Sequence, residues 1–368
     1  MVIDRISVYQ VRIPLRKPFV LSLERLTHAE NIIIKIDTDE GITGYGECSP
    51  FKSINGESME TAWVVSDYLA GILIKRDPLD IESRILDMDR LIYGNSSIKS
   101  AFEIAMYDIA SQSVNQPLYA FLGGGNNRVL QTDYTVSLGE PAQMASDAAK
   151  VRDAGFGIIK VKLGTDGRMD VERIRRIRES IGDQLPLRVD ANQGWDYDTA
   201  VRTLKELDQY HIQYCEEPIP RWEFMNLRAL QKASPIAIMA DESVCDHHDA
   251  RRLIDLDAVG FFNIKLGKSS GLSKAQKIVR MAESAGIRLQ IGGFLESRLA
   301  FTASAHLALS SPQIEFIDFD TPLMFEMDPV IGGIVYDSHG MITLPEKPGL
   351  GAIPDQSFLS TLPLKIFS

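Results

Sequence analysis

Lysines and carboxylates stand at the ends of short apolar runs in this sequence, in places where a buried strand would ordinarily carry no charge. In IIKVKLG, Lys160 and Lys162 are two residues apart, so on a strand both side chains leave from one face. If that face is interior, burial and mutual repulsion favour the neutral amine, and at least one of the pair should have a lowered pKa and serve as a general base. A KxK pair more often faces water. Here Ile159, Val161 and Leu163 already fill the opposite face, which leaves the two readings level.

The runs PLRVDANQ, IQYCEEP and IAIMADES end in Asp190, in Glu216 with Glu217, and in Asp241 with Glu242. A single acid there is ordinarily a surface charge or a helix cap. Three strand ends in series collect oxygen ligands on one rim, which suits a hard cation such as Mg2+ with positions left for water or substrate. The next run, VGFFNIKLGK, adds Asn263, Lys265 and then Lys268, a second lysine on the far side from Lys162. The chemistry that needs this set is removal of a proton from a carbon next to a carboxylate. Such a carbon acid is too weak for an amine alone, and a metal on the carboxylate oxygens stabilises the developing charge. Lysines on both faces let the proton leave one side and return to the other.

The elements that must position these groups are visible as a repeat. From TDYTVSL to IEFIDFDTP, eight strand candidates recur roughly every 25 residues, the length of a strand, a helix and two short loops in a parallel barrel. No amphipathic helix follows the eighth, and turn residues around Asp337 to Gly340 predict a hairpin in the tail. Upstream, residues 2–15 and 31–48 alternate as antiparallel strands, and SSIKSAFEIAMYDIASQSV has helical spacing behind serines suited to an N-cap. The expected fold is α/β: a modified TIM barrel, (β/α)7β, over residues 126–322. An α+β capping domain over residues 1–125 covers its mouth and is completed by a C-terminal segment, residues 323–368.

Composition bounds the partners. With 368 residues, 45% hydrophobic, the chain can bury a large core, and a net charge of −11 without a basic run argues against nucleic acid and for a small-molecule substrate. Asp4 and Arg5 interrupt any leader-like apolar run, and no span of membrane length appears, so a soluble cytoplasmic protein with no membrane partner is expected. A homo-oligomer remains open. Cys48, Cys215 and Cys245 are scattered and read as incidental thiols.

Taken in order, KVK, VDANQGW, EEP, ADES and NIKLGK make the chain resemble the enolase superfamily, in the subgroup related to muconate cycloisomerase, over nearly its whole length. A lysine or histidine base working with magnesium is a general pattern of that superfamily. The resemblance implies Lys162 and Lys268 as the acid/base pair, Asp190, Glu216 and Asp241 as ligands of one Mg2+ per subunit, and Lys160 and Lys265 as supporting cations. Mandelate racemase relatives carry a histidine on the seventh strand, and IGGFLES has none.

On the eighth strand, IDFDTP puts Asp318 and Asp320 on one face, where unpaired buried carboxylates require a cationic partner. The motif is similar to the DxD with which dipeptide epimerases hold the substrate ammonium. Dipeptide epimerisation through an enediolate is therefore the implied activity. N-acylamino acid racemase, o-succinylbenzoate synthase, cycloisomerase and a non-catalytic metabolite-binding barrel are the alternatives. Epimerases acting on Ala-Glu carry an arginine in the loop after the first strand. In PFVLSLERLTHAE the matching position holds Glu24, with Arg25 beside it, so a neutral or hydrophobic dipeptide is expected. An inward Arg25 would restore Ala-Glu use. Phe19, Thr135, Phe294, Leu295 and Glu296 are the further expected substrate contacts.

Overall fold

The computed structural model describes residues 1–368. The chain begins with three long antiparallel strands, β1 (Ile3–Val20), β2 (Arg25–Thr38) and β3 (Thr43–Cys48), followed by helices α1 (Met59–Leu73), α2 (Ile81–Leu91) and α3 (Ser96–Ser113). Alternation along β1 and β2 turns Ile6, Val8, Ile34 and Ile36 toward Leu69 and Phe102 of the helices, which makes a core separate from that of the barrel. The serines at the start of α3 do not cap it. Its N-cap residue is Asn95, which makes no side-chain cap bond; the buried Glu57 accepts instead from the backbone N–H groups of Ser97 (3.1 Å) and Ile98 (3.4 Å). A carboxylate some forty residues upstream satisfies these orphan donors better than a local hydroxyl, since it also complements the helix dipole.

Eight parallel strands form the second region: β4 (Tyr134–Val136), β5 (Ile159–Lys162), β6 (Leu187–Asp190), β7 (Ile212–Glu216), β8 (Ile238–Ala240), β9 (Phe261–Lys265), β10 (Arg288–Gly292) and β11 (Ile314–Ile317). They pair in sequence order, and a parallel bridge between Thr132 and Ile317 joins the two edges into a barrel. Seven helices connect them: α4 (Pro141–Asp153), α5 (Gly167–Ile181), α6 (Tyr197–Leu207), α7 (Leu227–Ala233), α8 (His247–Asp255), α9 (Leu272–Ala285) and α10 (Arg298–Ser310). After β11 only a short 3-10 turn, Thr321–Met324, follows, so the architecture is the expected (β/α)7β.

The tail forms the hairpin Val335–Tyr336 with Met341–Thr343, whose turn is held by Asp337 accepting from the N–H groups of His339 and Met341, each at 2.8 Å. A last strand, β12 (Leu364–Phe367), pairs antiparallel with β1, which carries the C-terminus back to the first region. No helix is long and apolar enough to cross a membrane, and all three cysteines are free thiols.

Candidate active site

The strand ends bring the charged residues together in a lattice of alternating sign. Lys160 Nζ donates to Glu216 (2.7 Å) and Asp318 (2.8 Å) and lies 3.3 Å from Asp190. Lys162 Nζ donates to Asp190 at 2.6 Å, Lys265 to Asp241 at 2.7 Å, and Lys268 to the Asp241 carboxylate and backbone oxygen. Both lysines of β5 therefore face the interior, but the expected depression of a lysine pKa is reversed at Lys160. Burial alone would lower it, yet Asp318, Glu216 and Asp190 push it well above the usual lysine value. Repulsion between neighbouring ammonium groups loses to the carboxylates packed between them.

The same partners decide the acids. Burial would raise Asp190, but Lys162 and Lys160 hold it below the usual carboxylate range, and Lys265 and Lys268 do the same at Asp241. Glu216 goes the other way, to about 7, through burial and the charge of Asp190. Asn192, Gln193 and Glu217, just beyond these strand ends, have left-handed φ values of 41°, 67° and 34°. They are pinned there: Asn192 N–H donates to Asp190 (2.9 Å) and Gln193 N–H to the carbonyl of Glu217 (2.7 Å). Gly164 makes the close packing of two of these loops possible, since a Cβ on it would lie 1.9 Å from the carbonyl oxygen of Ala191.

The donor set accommodates a hard cation. Asp190, Glu216 and Asp241 are completely buried at three adjacent strand ends, and beside them Asn263 Oδ1 and Glu242 Oε2 are buried oxygens without a hydrogen-bond partner. Asn263 Oδ1 and Glu242 Oε2 are unsatisfied oxygens of the kind that a divalent ion would stabilise, while lysines hold the three carboxylates beside them.

Above the lattice, one pocket is walled by Lys162, Lys265, Asp318 and Asp320 on its polar side. Its apolar side gathers Phe19, Leu21, Phe51, Ile54, Phe294 and Leu295, and Thr135 also lines it. Thr135 contributes its N–H, which donates to Asp320 at 2.5 Å. Asp318 is not unpaired, because Lys160 already serves it; Asp320 lacks a cation, and burial together with Asp318 raises it to about 7. Lys160 and Lys268 are buried and do not line the pocket, and neither does Glu296, whose carboxylate accepts from Phe294 N–H at 2.5 Å.

Glu24 and Arg25 stand outside the pocket, in a neighbouring polar cleft that shares Phe51 and Leu295 with it; Glu24 accepts from Ser53 Oγ. The capping loops are closed onto the barrel, with Ser22 Oγ donating to the carbonyls of Ala191 (3.2 Å) and Asn192 (2.9 Å) and Arg221 donating to the Ile54 carbonyl.

Several residues of the lattice escaped the sequence reading. Arg188 and Tyr214 lie two positions before Asp190 and Glu216, so strand periodicity already aimed them inward. Gln290, which donates to Glu216 at 3.3 Å, and Asp133, which precedes β4, had no comparable signal.

The whole chain has known relatives. Residues 4–123 match the mandelate racemase / muconate lactonizing enzyme N-terminal domain, and residues 143–358 match the enolase C-terminal domain-like family. The chain is 54% identical over 362 residues to a D-Ala-D/L-Ala epimerase of Cytophaga hutchinsonii, covering 98% of each. It is 38% identical to an L-Ala-D/L-Glu epimerase of Bacillus subtilis, covering 96% of this chain and 97% of the other. The crystal structure of a dipeptide epimerase from Cytophaga hutchinsonii complexed with Mg and the dipeptide D-Ala-L-Val superposes with a TM-score of 0.99 at 54% identity, covering both chains completely. Fold, lattice and matches over both regions lead to one statement of kinship: the chain belongs to the mandelate racemase / muconate lactonizing enzyme family of the enolase superfamily.

Proposed function

We propose that this protein is a Mg2+-dependent dipeptide epimerase acting on neutral or hydrophobic dipeptides. The observation that carries the reading is one pocket lined by Lys162, by the Asp318–Asp320 pair and by apolar side chains. An α-carbon and an ammonium group of one small molecule can reach both. The relatives named as dipeptide epimerases, and the neighbour holding Mg and D-Ala-L-Val, support it.

Asp190, Glu216 and Asp241 would hold the ion, which when bound supplies positive charge to the substrate carboxylate as the α-proton leaves. Lys162, on the second barrel strand, and Lys268, beyond the sixth, approach from opposite sides of the barrel. One takes the α-proton and the other returns a proton to the opposite face of the enediolate, which inverts the centre. Lys160 keeps Asp190 and Asp318 ionised, and Lys265 does the same for Asp241. Asp318 and Asp320 receive the ammonium group, with Thr135 orienting Asp320.

The side chain meets Phe19, Leu21, Ile54, Phe294 and Leu295. Glu296 braces that loop through the Phe294 N–H. Because Glu24 is held by Ser53 and Arg25 lies in the outer cleft, no cation of the capping loop reaches an acidic side chain. The test is incubation with Mg2+ and Ala-Ala, Ala-Val, Ala-Leu, Ala-Glu and Ala-Lys in D2O. Deuterium should enter one α-position, fastest for the neutral members; a clear preference for a charged dipeptide would overturn the side-chain reading, and no exchange with any would overturn the activity.

A further inference from the structure

Asp133 is completely buried just ahead of β4, and the mechanism above does not use it. Its Oδ2 accepts from Arg188 at 2.7 Å, while its Oδ1 has no hydrogen-bond partner. One oxygen from each of Asp133, Asp318 and Asp320 lies within 4.8 Å of the others. Around this cluster the fixed cations are Arg188, on Asp133, and Lys160, on Asp318. Asp320 has only a neutral N–H. Three buried carboxylates thus have two bonded cations, one of which, Lys160, is shared with Glu216 and Asp190, so the amino end of the pocket is short of positive charge. Burial, then repulsion from Asp318, raises both Asp133 and Asp320, the behaviour of a cluster short of one positive charge.

We infer that Asp133 sets the charge of the ammonium subsite: together with Arg188 it leaves the Asp318–Asp320 pair one positive charge short, so the pocket demands a primary ammonium and rejects a neutral N-acyl group. This rests on the reading that Asp318 and Asp320 receive that ammonium. Asp133 lies off the pocket wall and acts through those two residues, as a positioning residue for charge. Arg188 stacks on the rings of Tyr214 and Phe316, with its guanidinium carbon 5.6 and 4.9 Å from their centroids, so its charge cannot move away to rebalance the cluster.

The experiment compares kcat/KM for Ala-Ala and N-acetyl-Ala-Ala in the Mg2+-loaded protein. Asp133→Asn should shrink the preference for the free dipeptide by about tenfold or more, since it removes a charge near the ammonium in a desolvated site. The double variant Asp133→Asn/Arg188→Gln removes one charge of each sign and should recover most of that preference, a rescue that a purely structural role would not give. Circular dichroism and Mg2+ titration check that each variant is folded and loaded. An unchanged ratio in folded Asp133→Asn, or a double variant no better than the single, overturns the inference. So does a second tightly bound Mg2+ in the unmodified protein that Asp133→Asn removes. If Asp318→Asn and Asp320→Asn also leave the ratio unchanged, the ammonium reading itself has failed.

Discussion

Among the buried carboxylates of this molecule, Asp190 and Asp241 in the barrel mouth behave oppositely to Glu47 and Glu103 in the seam between the cap and the barrel. In the mouth Asp190 and Asp241 are held below the usual range by lysines. In the seam Glu47 of β3 reaches the start of α10, accepting from Ser297 N–H (3.0 Å), Ser297 Oγ (2.6 Å) and Ala300 N–H (3.1 Å). Glu103 of α3 likewise accepts from Ser273 N–H at the start of α9 at 3.0 Å. No ammonium or guanidinium bonds to either, and burial raises Glu47, and Glu103 to about 8. Equal burial therefore does not fix ionisation; the partner does. Dipoles at a helix start hold a carboxyl group in place for assembly, whereas lysines hold it charged and ready for a cation.

The largest test of that contrast is in the mouth. Lys162→Ala and Lys268→Ala should each abolish epimerisation, with a loss of about 100- to 10,000-fold for a proton-transfer group. Each should retain α-proton exchange in D2O with only one epimer, the two variants being complementary; a fully active single variant would break the assignment. Chelation with EDTA comes next: activity should vanish and return with Mg2+, and activity that survives exhaustive chelation would refute the metal role.

In the seam the loss should appear as stability. Glu47→Ala leaves buried N–H groups at the start of α10 unsatisfied, and should cost about 1–3 kcal/mol in urea unfolding. Its kcat should stay near that of the parent at temperatures where it remains folded. A collapse of kcat without a stability change would mean that the seam takes part in chemistry.

A further test concerns pH. Glu103 and Glu296 are raised from 4.5 to about 8, so the folded state holds their protons more tightly than the unfolded chain does. The stability from burying them neutral is complete below their unfolded value and is lost as pH rises through the folded one. Glu103→Gln should flatten the decline between about pH 4.5 and 8, measured as unfolding midpoint against pH in parallel with the parent. An identical slope in both would remove Glu103 from the seam's titration.

The barrel repeat, the face shared by Lys160 and Lys162, and the series Asp190, Glu216 and Asp241 are legible in the order of residues. Strand periodicity and strand-end position are local properties, so spacing alone carries them. Which charge meets which depends on the folded chain. Asp318 is neutralised by a lysine from the second barrel strand, α3 is capped by a glutamate from another segment, and Glu24 is drawn away from the pocket by Ser53. Charge state depends on neighbours a few ångströms away in space, and barrel closure makes neighbours of residues as distant in sequence as Lys160 and Asp318.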